Sequence, residues 1–293
     1  MKLKEKTTGL LNFSDYKKRR FRLLYWFFVL ILAVAVFTAL IPVFWLIVTS
    51  FKTVTEINST NYTFFPAVFN IGKIWDVWQK ENFGKYFLNS FIVTLGAMAS
   101  AVLFNGLTAY VIALVKPRGY KVIYVLIMLS YMIPSITGII PLFHWLSDLR
   151  MADNYLPLML IWGANAFYFV NFKNYFESIP KSLLEAAKMD GCSDLKIFFK
   201  VVLPLSKPIV GVVAIFAMTA AWSDFLLPYL LLNDQDMYTV MVEIYNVQSS
   251  LGNGYTYDEF LMLLVISIIP QIIIFLIFQK QITNANATNG IKE

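Results

Sequence analysis

Residues 23–48 read LLYWFFVLILAVAVFTALIPVFWLIV, without one charged side chain. A helix needs about 20 such residues to cross the hydrocarbon of a bilayer. In that medium the backbone must satisfy its own hydrogen bonds, so a helix is the form this run takes. Five more apolar stretches follow, at about 88–114, 122–146, 155–172, 209–232 and 259–279. Prolines fall inside several of them: Pro42, Pro134, Pro141 and Pro270. Membrane helices tolerate such breaks when neighbours satisfy the freed groups. Asn89-Ser90 stands at the start of the second stretch. Across the chain 58% of residues are hydrophobic and 14% charged, against about 25% charged in ordinary soluble domains. The expected fold is all-α and polytopic, with about six transmembrane helices between residues 23 and 279. No soluble domain and no internal repeat is visible. The first run is too long for the h-region of a cleaved signal peptide, and no small-x-small site follows promptly, so it is read as a retained helix.

Charge sets the expected orientation. With residues 1–22 inside, the inner segments hold eight Lys and Arg before the first helix. Three more lie in 116–121, six in 173–207 and two in the tail 280–293, against five outside. Between Pro208 and Gln279 there is no Lys or Arg, while Asp234, Asp236, Glu243, Asp258 and Glu259 fall in the expected outer loop. By the positive-inside rule both ends of the chain face the cytoplasm. The same distribution explains the net charge of +6 as membrane flanks, so no nucleic-acid partner is expected.

Catalysis has little to stand on. The chain has one cysteine, Cys192, and one histidine, His144, between Phe143 and Trp145. A triad or a His-ligated metal needs convergent partners. No metal site, no bound cofactor and no enzymatic activity are therefore expected. No G-x-x-x-x-G-K-S/T loop is present, because Gly72-Lys73 and Gly84-Lys85 lack the upstream glycine and the following Ser or Thr. The sequons at Asn58, Asn61 and Asn286 are read as chance.

Two polar segments are long enough to matter. Residues 52–87 carry Trp75, Trp78, Phe83 and Tyr86, which suits an interfacial aromatic belt or a surface for an external partner. Residues 173–208 read KNYFESIPKSLLEAAKMDGCSDLKIFFKVVLPLSKP. Pro180 suits a first helical turn, Gly191 a break at positive φ, and Ser193 an N-cap with Asp194 in the first turn. Ile197, Phe198, Val201 and Val202 form an apolar face, and Pro204 and Pro208 turn the chain back. The result is a helix-turn-helix elbow. It either lies on the bilayer as an amphipathic loop or plugs into a groove of a soluble partner.

Glu185-Ala186-Ala187-x-x-Asp190-Gly191, then Ile197-Phe198 and Leu203-Pro204-Leu205, resembles the EAA motif of permease subunits in bacterial ABC importers. Flanking features resemble the carbohydrate-uptake, maltose-type branch. They are Ser50-Phe51-Lys52, Asn89-Ser90, Met132-Ile133-Pro134, Ile140-Pro141-Leu142, Ser178-Ile179-Pro180 and Trp222-x-Asp224-Phe225-x-x-Pro228. The likeness covers residues 20–292, and Ser223 departs from the Asn common in that branch. The resemblance implies a multi-pass protein of the bacterial inner (cytoplasmic) membrane whose elbow docks in a cytosolic ATPase dimer. Glu185 would make a polar contact there or cap the elbow. Ala186 and Ala187 would allow close approach, Gly191 would supply the turn, and Met189, Asp190, Phe198, Leu203 and Pro204 would complete the coupling set. It further implies a second, different permease chain, an extracytoplasmic solute-binding protein, and ATP-Mg held by the partner ATPase.

An ionisable residue within a span is a candidate for function. Asp224, beside Trp222 and Ser223, is the clear one. Its carboxylate is either a wall of the pathway, a satisfied interhelical partner, or a residue near the outer interface. Asn105, Tyr110, Trp162, Asn165 and Tyr168 are further pathway candidates, since sugars are bound by aromatic stacking with hydrogen bonds. The alternative to an importer half is a secondary transporter that uses Asp224 as its coupling group.

Overall fold

The computed structural model describes residues 19–61, 63–80 and 82–289. The expected N-terminal segment, up to residue 18, and the last four residues lie outside that range. In chain order the α-helices are α1 (Arg19–Ser50), α2 (Val54–Ile57), α3 (Gly72–Lys80), α4 (Phe83–Tyr110) and α5 (Tyr120–Tyr131). Next come α6 (Ile139–Asp148), α7 (Tyr155–Leu160), α8 (Ala166–Phe176), α9 (Lys181–Met189) and α10 (Asp194–Ile197). The last five are α11 (Leu203–Leu205), α12 (Lys207–Ser223), α13 (Leu226–Leu231), α14 (Val240–Ser249) and α15 (Tyr257–Asn289). No strand occurs among the described residues, as an all-α fold requires.

Three of the expected spans are unbroken helices that are long and apolar enough to cross a membrane: α1, α4 with its extension to Val115, and α15. Pro42 and Pro270 lie within α1 and α15 without ending them. The other expected spans are interrupted. The stretch 122–146 is not one helix: α5 and the pieces from Ser135 to Asp148 meet at 96°. The bend is centred on Pro134, which lacks a donor and drives its predecessor out of the helical region. The stretch 155–172 divides at Asn165, which is extended at φ −107° and ψ 113° and caps α8. The stretch 209–232 divides at Asp224, also extended, between α12 and α13. Boundaries shift as well. The second span starts at Phe83, so Asn89 and Ser90 sit inside α4 rather than opening it. The last helix runs on to Asn289, ten residues past the expected end of its span at 279.

The helix α4 is the axle of the bundle. It packs against α12, α8, α7 and α14. At about 1.5 Å per residue its 28 residues reach roughly 42 Å. Phe83, at its start, belongs to a core cluster with Trp222, Val240, Met262 and Leu263. Tyr110, at its end, belongs to another with Phe172, Phe176, Ile197, Phe198 and Val202. The first end is tied by charge. Lys73 bonds Asp258 at 2.7 Å and also donates to the carbonyls of Ser50 and Lys52. One ammonium thus closes the C-terminus of α1, where carbonyls are left over, onto the start of α15. Lys80, the last residue of α3, ties that helix to the start of α15 through Glu259 at 2.9 Å and donates to the Gly254 carbonyl. Lys73, Lys80 and Lys85 of segment 52–87 thus pair with Asp258, Glu259 and Asp236 of the acidic stretch.

Candidate coupling elbow and pathway face

Residues 181–205 form the elbow. Pro180 is the N-cap of α9 rather than its first residue. Three turns later the helix ends in a complete Schellman motif. The Cys192 N–H donates to the Ala187 carbonyl at 3.1 Å, and the Gly191 N–H to that of Lys188 at 3.0 Å. Gly191 holds φ +74°, a conformation in which a Cβ is strained. Ser193 then caps α10 by accepting the Lys196 N–H. Asp194 joins the two arms: its carboxylate pairs with Lys188 at 3.5 Å and accepts the hydroxyl of Tyr110 from α4.

The elbow is anchored by its second arm. Ile197, Phe198 and Val202 are fully buried. The Phe198 ring lies 5.5 Å from that of Tyr110 and passes beside Gly106. Here the backbone forms a π-helix over Phe198–Val202, and a second one extends α4 over Val111–Val115. Such segments recur at functional sites. The first arm is the opposite. Met189 is 89% exposed, and Leu183, Glu185, Ala186 and, at the turn, Asp190 and Gly191 are exposed too. A groove of about 230 Å³ separates it from the end of α4, with Glu185, Lys116, Lys181 and Lys188 on its walls. Leu203 is partly buried, and Pro204 is exposed in α11, just before the chain turns 86° into α12. The turn comes at Ser206, between the two prolines read as turning points.

The pathway candidates separate into two groups. Asn105 is buried inside α4. Its amide donates to the Trp162 carbonyl, and its oxygen accepts the Asn165 N–H at 2.9 Å. Asn165 in turn caps α8 through Tyr168. These two asparagines satisfy the backbone freed where the fourth span breaks, as apolar surroundings demand. Tyr110 and Tyr168 are buried in the same cluster, with Trp162 packed against it. Trp222 is 2% exposed, wedged between Phe87 and Phe91, and its indole donates to the Ser267 carbonyl. Ser223 and Asp224 are the pair left open. Ser223 is exposed and accepts the Gln271 amide at 2.7 Å. The Asp224 carboxylate accepts the backbone N–H groups of Leu227 and Leu226 across the break.

The sequence names one neighbour of that pair, Phe225, only within a motif, and assigns no place to Tyr229 or Tyr245. Phe225, Tyr229 and Tyr245 form a triangle of rings 4.8–5.2 Å apart. The i, i+4 spacing of Phe225 and Tyr229 is a signal for their contact. Tyr245 comes from α14, which no local pattern links to α13.

The profile of the family described as binding-protein-dependent transport system inner membrane component matches residues 106–284. The chain is 31% identical to the diacetylchitobiose uptake system permease protein NgcG of Streptomyces coelicolor, over 84% of this chain and 82% of that one. It is 30% identical to the arabinooligosaccharides transport system permease protein AraQ of Bacillus subtilis, over 86% and 90%. Among solved structures it is similar to a chain of a bacterial ABC transporter involved in the import of the acidic polysaccharide alginate. The TM-score is 0.77 at 26% identity, and the match covers 93% of this chain and 99% of that one.

Proposed function

We propose that this chain, which belongs to the family of binding-protein-dependent transport system inner membrane components, forms half of the pathway of an ATP-driven importer for an oligosaccharide. It is a multi-pass membrane protein and an ABC importer permease component. In the proposed assembly a second, different permease supplies the other half. A cytosolic ATPase pair carries ATP-Mg and all of the hydrolysis, and an external binding protein delivers the sugar. Both chain ends and the elbow face the cytoplasm, as the lysine and arginine distribution argues.

The observation that carries the reading is the elbow. Its second arm is locked into the core, while its first arm presents Met189, Ala186 and Glu185 with no cover. A rigid anchor beneath an open apolar tip can pass a push from a soluble partner to the helices below. Phe198 and Tyr110 connect that anchor directly to α4, the axle. Rocking of one bundle against another then switches access. A secondary transporter needs coupling groups within the membrane, and Asp224 is the one clear ionisable candidate in the expected spans. The relatives support the oligosaccharide class, since their names give diacetylchitobiose and arabinooligosaccharides as what they transport. In proteoliposomes holding the full transporter, uptake of labelled oligosaccharide should require both ATP and the binding protein. Uptake driven by a proton or sodium gradient without ATP would overturn the proposal.

A further inference from the structure

We infer that this subunit itself touches the transported saccharide, on a shelf of Phe225, Tyr229 and Tyr245 edged by Ser223, Asp224 and Gln271. The inference rests on the oligosaccharide-importer reading and extends it to a site on this chain.

Depth comes first. At about 1.5 Å per residue, Ser223 lies roughly 24 Å along α12 from Lys207, and Gln271 roughly 21 Å along α15 from Tyr257. Their 2.7 Å hydrogen bond is therefore well inside the apolar thickness, yet it faces outward from this chain. Polar side chains at that depth face a bundle interior or a water-filled cavity rather than lipid. The shelf lies next to them. Tyr229 and Tyr245 are 42% and 38% exposed, so their rings border space that this chain does not fill. Phe225 and Tyr229 stack at 28° and make one nearly continuous surface. Tyr245 closes it at 70° to Tyr229.

The chemistry selects a carbohydrate. A sugar ring has an apolar face of C–H groups that lies against aromatic rings, and a rim of hydroxyls that needs donors and acceptors. Asp224 spends lone pairs on Leu226 and Leu227 but, as a carboxylate, has about four acceptor sites. It can accept a hydrogen bond from a sugar hydroxyl at the edge of the shelf while the Ser223–Gln271 pair bonds another. An open shelf suits transit, since a pathway site must bind well enough to load and weakly enough to release.

The test uses the whole transporter in proteoliposomes and a panel of labelled di- to tetrasaccharides, including diacetylchitobiose and arabino-oligosaccharides. The quantity read is sugar moved per ATP hydrolysed. The double variant Tyr229→Ala, Tyr245→Ala should lower that ratio by about tenfold or more, with subunit copurification and thermal stability unchanged. Tyr229→Phe and Tyr245→Phe keep the rings and should retain most of it. An unchanged ratio in the double variant overturns the shelf. So does a loss that tracks failed copurification, which would make these rings a contact with the second permease. A wild-type transporter that moves no saccharide overturns the importer reading itself.

Discussion

Gly191→Val should cut uptake by about tenfold to a hundredfold, while membrane insertion and the helical bundle survive. The expected size follows from the backbone. Gly191 stands at φ +74° with nothing within 4 Å of where a Cβ would lie. The cost is therefore conformational and not a clash. A β-branched residue held there costs about 1–3 kcal/mol. The elbow escapes that cost by abandoning the Schellman turn, which swings the exposed arm of α9 away from the anchored arm that begins at α10. Glu185→Lys attacks the same device through charge. It adds a fourth cation to a groove wall that already holds Lys116, Lys181 and Lys188, on the face proposed to meet the ATPase. Both variants are read by uptake and by ATPase copurification from solubilised membranes. Full-rate uptake in either one removes the coupling role of the elbow.

Trp222→Ala should destabilise the folded chain by about 3–5 kcal/mol, the range for emptying a buried aromatic site. This side chain joins three helices. It sits on α12, its ring is 5.4 Å from Phe87 and 5.2 Å from Phe91 on α4, and its Nε1 donates to Ser267 on α15 at 3.1 Å. Trp222→Phe keeps most of the packing and forfeits the hydrogen bond, so about 1 kcal/mol is expected. Thermal unfolding in detergent separates the three proteins. Equal midpoints for Ala and wild type would mean that Trp222 lines open space, as the sequence reading allowed.

The sequence carried the class of fold because lipid permits so few alternatives. Each apolar run had to become helix, and the elbow announced itself through Gly191 and Ser193, residues whose turn and cap chemistry is local. What stayed hidden was non-local. Asn105 and Asn165 look like pathway residues in a linear reading, yet they meet across 60 positions to satisfy one broken helix. Pro134 marked a bend but not its 96° size, which depends on what the two halves pack against. The break at Asp224 does have a mark, four residues on: Pro228 has no N–H to give the Asp224 carbonyl, and it sits in the first turn of α13. The two π-helices have none, since Val111–Val115 and Phe198–Val202 are ordinary apolar runs. They occur where the elbow meets the bundle, on either side of the contact between Phe198 and Tyr110.

The central claim is that the tip of the elbow meets the ATPase. Cys192 is the chain's one cysteine, so Cys192→Ser with Met189→Cys places a single thiol at the tip. Cross-linking that thiol in the assembled transporter, with matched single cysteines across the ATPase surface, reads the contact directly. The account predicts a cross-link from residue 189 to the ATPase whose yield changes when ATP binds. Labelling of residue 189 by lipid-soluble reagents, with no ATPase cross-link in a transporter that still moves sugar, would contradict it.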